Sequence, residues 1–283
     1  MTQPLRLTIL CENTVGRPIA AVGEHGFACL IESGRDMYLF DTGQGLGLVR
    51  NARALKKDLT RVSKVILSHG HYDHTGGLPD LLTLTGPIEV IAHPGIFAER
   101  YWSGLGPRRY IGIPHRRPYL QSLGCRFRFE TDFSALAPGI WITGEVPRRH
   151  PLEKGDANMV SVDAQGRETT DALMDDLSLV IDSPRGLILV LGCAHAGLIN
   201  ILHHVREKTG RDRFHAVVGG THLMAADDAQ FEDTVRALEE FGVEKIAAGH
   251  CTGLARAAQL HARLKERFVF AAVGTQMEVN GPS

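Results

Sequence analysis

The chain reads as an α/β protein, an αββα sandwich of two mixed β-sheets flanked by helices. Three observations predict this class. Each half has a pair of apolar strands joined by a tight turn: residues 27–32 to 37–40 across Ser33-Gly34-Arg35-Asp36, and 177–181 to 187–191 across Ser183-Pro184-Arg185-Gly186. Strands and helices alternate after each hairpin, the pattern that builds parallel pairing. No linker-like stretch divides the halves, so 1–283 is read as a single domain with an arginine-rich excursion at about 100–128.

Taken in order, residues 5–10 alternate and form the first strand, followed by the 27–32 and 37–40 hairpin. That hairpin runs into Asp41-Thr42-Gly43. An aspartic protease would need a second carboxylate in a matching tripeptide, and the sequence has none. Gly43-Gln44-Gly45-Leu46-Gly47 lacks the spacing of a dinucleotide loop and reads as the entry to a helix at 46–57. A strand at 64–67, a helix near 78–84 and a strand at 88–92 come next. His93-Pro94-Gly95 reads as a helix start rather than a metal ligand. The second half predicts strand 140–143, the second hairpin, helix 198–208, strand 215–218, helix 227–241, strand 245–248, helix 254–266 and strand 268–273.

Bulk properties narrow the function. With 31 basic against 32 acidic residues the net charge is −1, which gives no whole-molecule attraction to nucleic acid or an anionic membrane. Five cysteines, Cys11, Cys29, Cys125, Cys193 and Cys251, are odd in number and scattered, which fits a reducing cytoplasm rather than a disulfide framework. No apolar run approaches the ~20 residues that span a bilayer. The N-terminal residues lack the basic region and apolar core of a signal peptide. A cytoplasmic protein without nucleic-acid or membrane partners is expected; the oligomeric state is left open.

The chemistry concentrates in residues 65–78. His69, His71, Asp73 and His74 fall between an apolar strand and Gly76-Gly77. A helix would spread these side chains around a cylinder, whereas a turn leaving a strand points them at one spot. Neutral imidazole is the commonest ligand for borderline divalent ions, and carboxylate is its anionic companion. His69 and His71 share a side, and Asp73 and His74 curl back as a second pair, suited to two ions roughly 3.5–4 Å apart. The remaining ligands must come from later strand ends. His195 and His250 are expected, because each follows an apolar strand and a glycine-bearing turn and precedes a helix. His222 ranks third by the same criterion. His203 and His204 sit inside a helix, and His25, His215 and His261 carry no ligand pattern.

Between Glu99 and Glu130 no acidic residue occurs, while Arg100, Arg108, Arg109, Arg116, Arg117, Arg126 and Arg128 interleave with Tyr101, Trp102, Tyr110 and Tyr119. This is either a solvated excursion or a segment that overhangs the metals and receives an anionic, ring-bearing substrate. Arg108, Arg109, Arg116 and Arg117 are the candidate contacts in the second case.

The His-x-His-x-Asp-His pattern of His69, His71, Asp73 and His74 resembles the metal-binding signature of the metallo-β-lactamase superfamily. Phe40-Asp41-Thr42-Gly43-Gln44, the stretch from Ser68 to Leu78, Gly192-Cys193-Ala194-His195-Ala196-Gly197, Gly219-Gly220-Thr221-His222-Leu223 and Gly249-His250-Cys251-Thr252-Gly253 run in order along the chain. Together they resemble the subgroup named for a methanopterin-pathway synthase, which joins a dihydropterin-methyl unit to a ribofuranosyl-aminobenzene phosphate. The resemblance implies that fold and metal site, with Asp41 supporting a metal ligand from behind. In many hydrolases of the superfamily a Gly-Asp before the final histidine bridges the two metals; here the turn reads Gly192-Cys193. Either Cys193 supplies a thiolate, or His195 supplies the ligand and Cys193 is a packed thiol. The second is preferred, since a buried free cysteine behaves as a small hydrophobe. The superfamily's intermediate histidine ligand is matched in position only by His150 or Glu145.

The expected function is hydrolysis of a small anionic phosphate or carboxylic ester by a metal-bound hydroxide, because a bound divalent ion brings the pKa of water to around 7. Asp73 and Tyr72 are the expected catalytic residues. One or two ions are expected, zinc first, with manganese and iron as alternatives. Two other classes stay open: a synthase of the dihydropterin-methyl type, and a non-catalytic metal-dependent ligand sensor.

Overall fold

The strand Gly186–Leu191 has no polar face because both of its faces are buried. Leu187, Leu189 and Leu191 enter an apolar cluster beneath helices, while Ile188 and Val190 enter a second cluster between two sheets. Successive side chains alternate across a strand, so a strand covered on both sides reads as a continuous apolar run. Asp36–Phe40 repeats the device, with Tyr38 and Phe40 facing the other sheet and Met37 and Leu39 facing helices. A fully buried leucine such as Leu189 contributes roughly 1.5–3 kcal/mol.

The protein is described by a computed structural model over residues 5–279; the first four residues of the segment read for a signal sequence lie outside them. One seven-stranded sheet runs Gln276–Val279, Leu5–Cys11, Ala28–Ser33, Asp36–Phe40, Lys64–Ile66, Ile88–Ala92, Cys125–Phe129. The other runs Phe268–Phe270, Lys245–Gly249, Phe214–Gly220, Gly186–Leu191, Ser178–Ser183, Ile140–Ile142, Ser134–Ala137. Each sheet is antiparallel at one side and parallel at the other. Helices Leu48–Ala54 and Leu78–Thr85 cover the first sheet, and Leu198–Thr209, Asp228–Glu240 and Leu254–Leu264 cover the second. This is the expected αββα sandwich of mixed sheets. Among the described residues no helix is long and apolar enough to cross a membrane.

Several boundaries differ from the sequence reading for local reasons. The first helix begins at Leu48 rather than 46, because the Glu24 carboxylate accepts the N–H groups of Gln44, Leu46 and Gly47 and holds that entry as a loop. It ends early, with Lys56 in the left-handed region at φ 57°. The last helix stops at Leu264 because Lys265 does the same at φ 50°. The final strand, Gln276–Val279, was not foreseen; it pairs with the start of Leu5–Cys11 and closes that edge.

The arginine-rich stretch is only partly an excursion. Cys125–Phe129 is an edge strand of the first sheet. Glu99–Trp102 and Arg109–Tyr110 join Met159–Val162 and Glu168–Thr170 in a small four-stranded sheet.

Candidate metal centre

Parallel strands deliver the site. Asp41, His69, Cys193, His222 and His250 each follow the carboxyl end of a strand in the parallel part of its sheet. Asp41, Ala194, His222 and His250 hold positive φ values of 60°, 59°, 49° and 51°. Such backbone is costly for residues with a Cβ and collects at functional sites. Gly192 allows the two sheets to approach here, since a Cβ on it would lie 2.1 Å from Ser68 Oγ.

Hydrogen bonds fix which imidazole nitrogens face inward. Asp41 is fully buried; its Oδ1 accepts from Ser68 N, and its Oδ2 accepts from Ser68 Oγ and His74 Nδ1, all at 2.7 Å. Ser68 Oγ therefore spends its proton on Asp41 and accepts from His69 Nδ1 at 2.9 Å. His250 Nδ1 lies 3.1 Å from Asn13 Oδ1, an acceptor. In each case the proton sits on Nδ1 and the Nε2 lone pair is left for the centre. Asp41 thus stands directly behind His74 and, through Ser68, behind His69.

The inward atoms crowd together. His69 Nε2 lies 2.9 Å from His71 Nδ1, His74 Nε2 lies 3.2 Å from His250 Nε2, and Asp73 Oδ2 lies 3.4 Å from His250 Nε2. Donors of a tetrahedral site with bonds of ~2.0–2.1 Å are roughly 3.3 Å apart, so these separations suit a shared cation. Three donor groups are compact to within 4.8 Å around Cys193: His69 and His74, His195 and His222, His250 and Cys251. His69, His71 and His195 form a fourth, and His25, Asp73 and His250 a fifth. Both ring nitrogens of His195 and of His222, and Nε2 of His71, are buried with no hydrogen-bond partner. Orphaned buried nitrogens are costly unless something else binds them, and a divalent ion fits this donor set.

Charge is arranged to match. Burial, reinforced by the neighbouring histidines, holds His69 and His195 well below their ordinary values. Burial also lowers His71 to about 3 and His250 to about 4. Neutral imidazole is the ligating form. At His74 burial is outweighed by Asp41 and Asp73, which raise the ring to about 9, so a metal ion ligated by Nε2 has to displace the proton this ring otherwise binds there. At Asp73 burial is outweighed by His74, His25 and His250, which hold the carboxyl below the usual range. The Cys193 thiol is pushed up by burial and by Cys251. At Cys251 burial, which raises the thiol, is outweighed by the Cys193 thiol and the neighbouring His222 and His250 rings, so this group is lowered.

The predicted residues separate cleanly. His69, His71, Asp73, His74, His195, His222, His250 and Cys193 come together. His150 and Glu145 do not: His150 lies 3.5 Å from Asp233 beside His203 and His204, and Glu145 accepts from His93 at 2.9 Å. His195 already sits against His69 and His71, at ring separations of 4.7 and 5.0 Å, so no earlier histidine is needed. Of the four candidate arginines only Arg109 lines the cleft over the site, with His25, Tyr72, Trp102, Ile111, Met159 and Met224, in a volume of about 160 Å³. Arg108 pairs with Glu168 and covers Tyr101; Arg117 lies over Phe129; Arg116 is exposed at a helix start. Sequence reasoning missed His25 and Cys251. Cys251 had a signal, since it follows His250 directly; His25 had only its place in the loop before the second strand.

Buried imidazoles and one carboxylate gathered at strand ends of an αββα sandwich make a candidate metal site. The chain belongs to the metallo-β-lactamase superfamily, whose profile matches residues 22–250. It is 30% identical over 276 residues to the 7,8-dihydropterin-6-methyl-4-(β-D-ribofuranosyl)-aminobenzene-5′-phosphate synthase of Methanocaldococcus jannaschii, covering 93% of each chain. It superposes on the crystal structure of Tm1679, a metal-dependent hydrolase of the β-lactamase superfamily, with TM-score 0.84 and 28% identity, covering 97% of this chain and 99% of that one. The metallo-β-lactamase fold protein YhfI of Bacillus subtilis shares the fold at 14% identity and TM-score 0.58, with 97% and 99% coverage.

Proposed function

We propose that this chain is a two-metal hydrolase of small anionic phosphate or carboxylic esters, zinc being the first metal. The observation that carries this reading is the crowding of imidazole nitrogens and the Asp73 carboxylate beside an open cleft, with partnerless ring nitrogens on His71, His195 and His222. His69, His71 and His195 would hold one ion, and Asp73, His74 and His250 the other. Bound there, divalent ions supply Lewis acidity at the scissile oxygen and acidify water. Asp73, kept ionised by its histidine neighbours, orients the attacking water through a hydrogen bond. The Arg109 guanidinium beside Tyr72 at the cleft grips the anionic group. The likeness to Tm1679 supports the hydrolase reading. Five free, buried thiols support a reducing, cytoplasmic location.

Cys193 is proposed as a sulfur donor that would help His69, His74, His195 and His250 hold the metal. Its Sγ lies 3.2 Å from His74 Nε2 and belongs to three of the donor groups, a central position that a merely packed thiol would not require. Cys193→Ser is expected to lower the second metal's occupancy and to remove a thiolate-to-cobalt charge-transfer band from the cobalt-loaded protein. A parent without that band, and a serine variant with parental metal content, would restore the packed-thiol reading.

The similarity to the M. jannaschii protein favours a second reading, a synthase joining a dihydropterin-methyl donor to an aminobenzene-ribose phosphate. An ester panel separates the two. Metal-loaded protein should hydrolyse activated phosphate or carboxylic esters. Arg109→Ala should raise KM for anionic esters about tenfold, the loss of one charge-assisted hydrogen bond of ~1.5 kcal/mol, with little change for neutral ones. Arg108→Ala should stay near the parent. Protein that hydrolyses none of the panel, yet condenses the pterin and aminobenzene units, would reverse the assignment.

A further inference from the structure

The loop between Leu5–Cys11 and Ala28–Ser33 carries a chain of hydrogen bonds that reaches two candidate ligands at once. Asn13 Oδ1 accepts from Gly26 N at 3.3 Å, which fixes the orientation of the amide. The same oxygen lies 3.1 Å from His250 Nδ1, and Asn13 Nδ2 lies 3.4 Å from His25 Nδ1. An amide oxygen only accepts, so His250 carries its proton on Nδ1 and turns the Nε2 lone pair to the centre. An amide nitrogen only donates, so His25 Nδ1 accepts and the neutral ring carries its proton on Nε2. That Nε2 lies 3.2 Å from Asp73 Oδ2.

We propose that the sequence of contacts His250–Asn13–His25–Asp73 is a positioning relay for the second ion: one amide sets the ligating tautomer of His250 and, through His25, orients the carboxylate of Asp73. The relay rests on the two-metal reading above and assigns functions to Asn13 and His25, neither of which that reading uses. The surrounding loop holds it in place. Glu12 accepts from His250 N and from Thr14 N and Oγ1, each at 2.6 Å. Phe27 N donates to Asp73 O at 3.2 Å. Gly26, at φ 151°, packs so closely that a Cβ would lie 2.4 Å from Asp73 O, so only glycine brings His25 this near.

Hydrogen bonds to metal ligands typically change metal affinity about 10–100-fold. The test is titration of metal-free protein with Zn²⁺ and Co²⁺, reading the affinity of each equivalent and the cobalt spectrum. Asn13→Ala is expected to weaken the second equivalent about 10–100-fold and to leave the first at parental affinity. His25→Gln keeps a terminal donor and should bind the second ion more tightly than His25→Ala. Parental affinity for the second ion in both Asn13→Ala and His25→Ala would overturn the relay. Complete loss of the second ion in both His25 variants would make His25 itself a ligand, which also overturns it. A parent that binds only one equivalent removes the two-metal reading and the relay together, and is recognised because the parent's own titration fails.

Discussion

A protein carrying both His69→Ala and His71→Ala is expected to lose at least one equivalent of metal and about a thousand-fold in kcat/KM. His69 Nε2 and His71 Nδ1 lie 2.9 Å apart with His195 completing their donor group, so the double change leaves one imidazole where three stood. Lewis-acid stabilisation is worth several kcal/mol, and each ~1.4 kcal/mol is tenfold in rate. The loss should be chemical rather than structural. Asp41, Ser68 and His74 keep their mutual hydrogen bonds, so the thermal transition should remain cooperative. Chelation of the parent should reproduce the loss, with metal restoring the parent but not the variant. Metal should also leave the parent more readily as pH falls, because protons compete for the imidazoles. Stoichiometric metal in the variant would refute the ligand assignment.

What the sequence made legible follows from distance along the chain. His69, His71, Asp73 and His74 leave one turn, so their spacing alone announces a site. His195, His222 and His250 were legible because parallel strands end at one edge of their sheet, and glycine-bearing turns mark those ends. His25 and Asn13 were not, because a loop without period or motif brings them to the ligands, fixed by Glu12, Glu24 and Gly26 rather than by any pattern. The arginine-rich stretch misled in a different way. Its composition advertised positive charge, but the partners that absorb some of that charge lie far along the chain: Asp171, Asp175 and Glu168. The short strands Glu99–Trp102 and Arg109–Tyr110 were equally hidden, since most of their residues are partly or fully exposed and show no clean alternation.

Replacing Arg100 by Met is expected to destabilise the fold by about 3–5 kcal/mol, the usual cost of leaving a buried charge without its partner. Arg100 is 3% exposed. Its Nη1 and Nη2 donate to the two oxygens of Asp175 at 2.8 and 2.6 Å, and its Nε donates to Asp171 at 2.7 Å. It therefore cannot serve as a substrate contact in the arginine-rich segment. Asp175 in turn accepts the N–H of Gly70, the residue between His69 and His71, at 2.8 Å, so the ion pair clamps the metal turn from behind. Burial raises the Asp175 carboxyl and Arg100 opposes that effect. Without the guanidinium the folded-state pKa should rise further above the unfolded value. The protonated form then favours folding, and that contribution is lost as pH rises through the folded value. The deficit should accordingly be largest near neutral pH and shrink toward the acidic carboxylate range, as urea denaturation of parent and variant at several pH values would measure. Changing Arg100→Met and Asp175→Leu together should cost less than the sum of the single changes, because the fully buried Asp175 charge is then not stranded and only Asp171 loses its partner. A single variant with the parental urea midpoint at neutral pH would mean that water already reaches the pair, contrary to its burial.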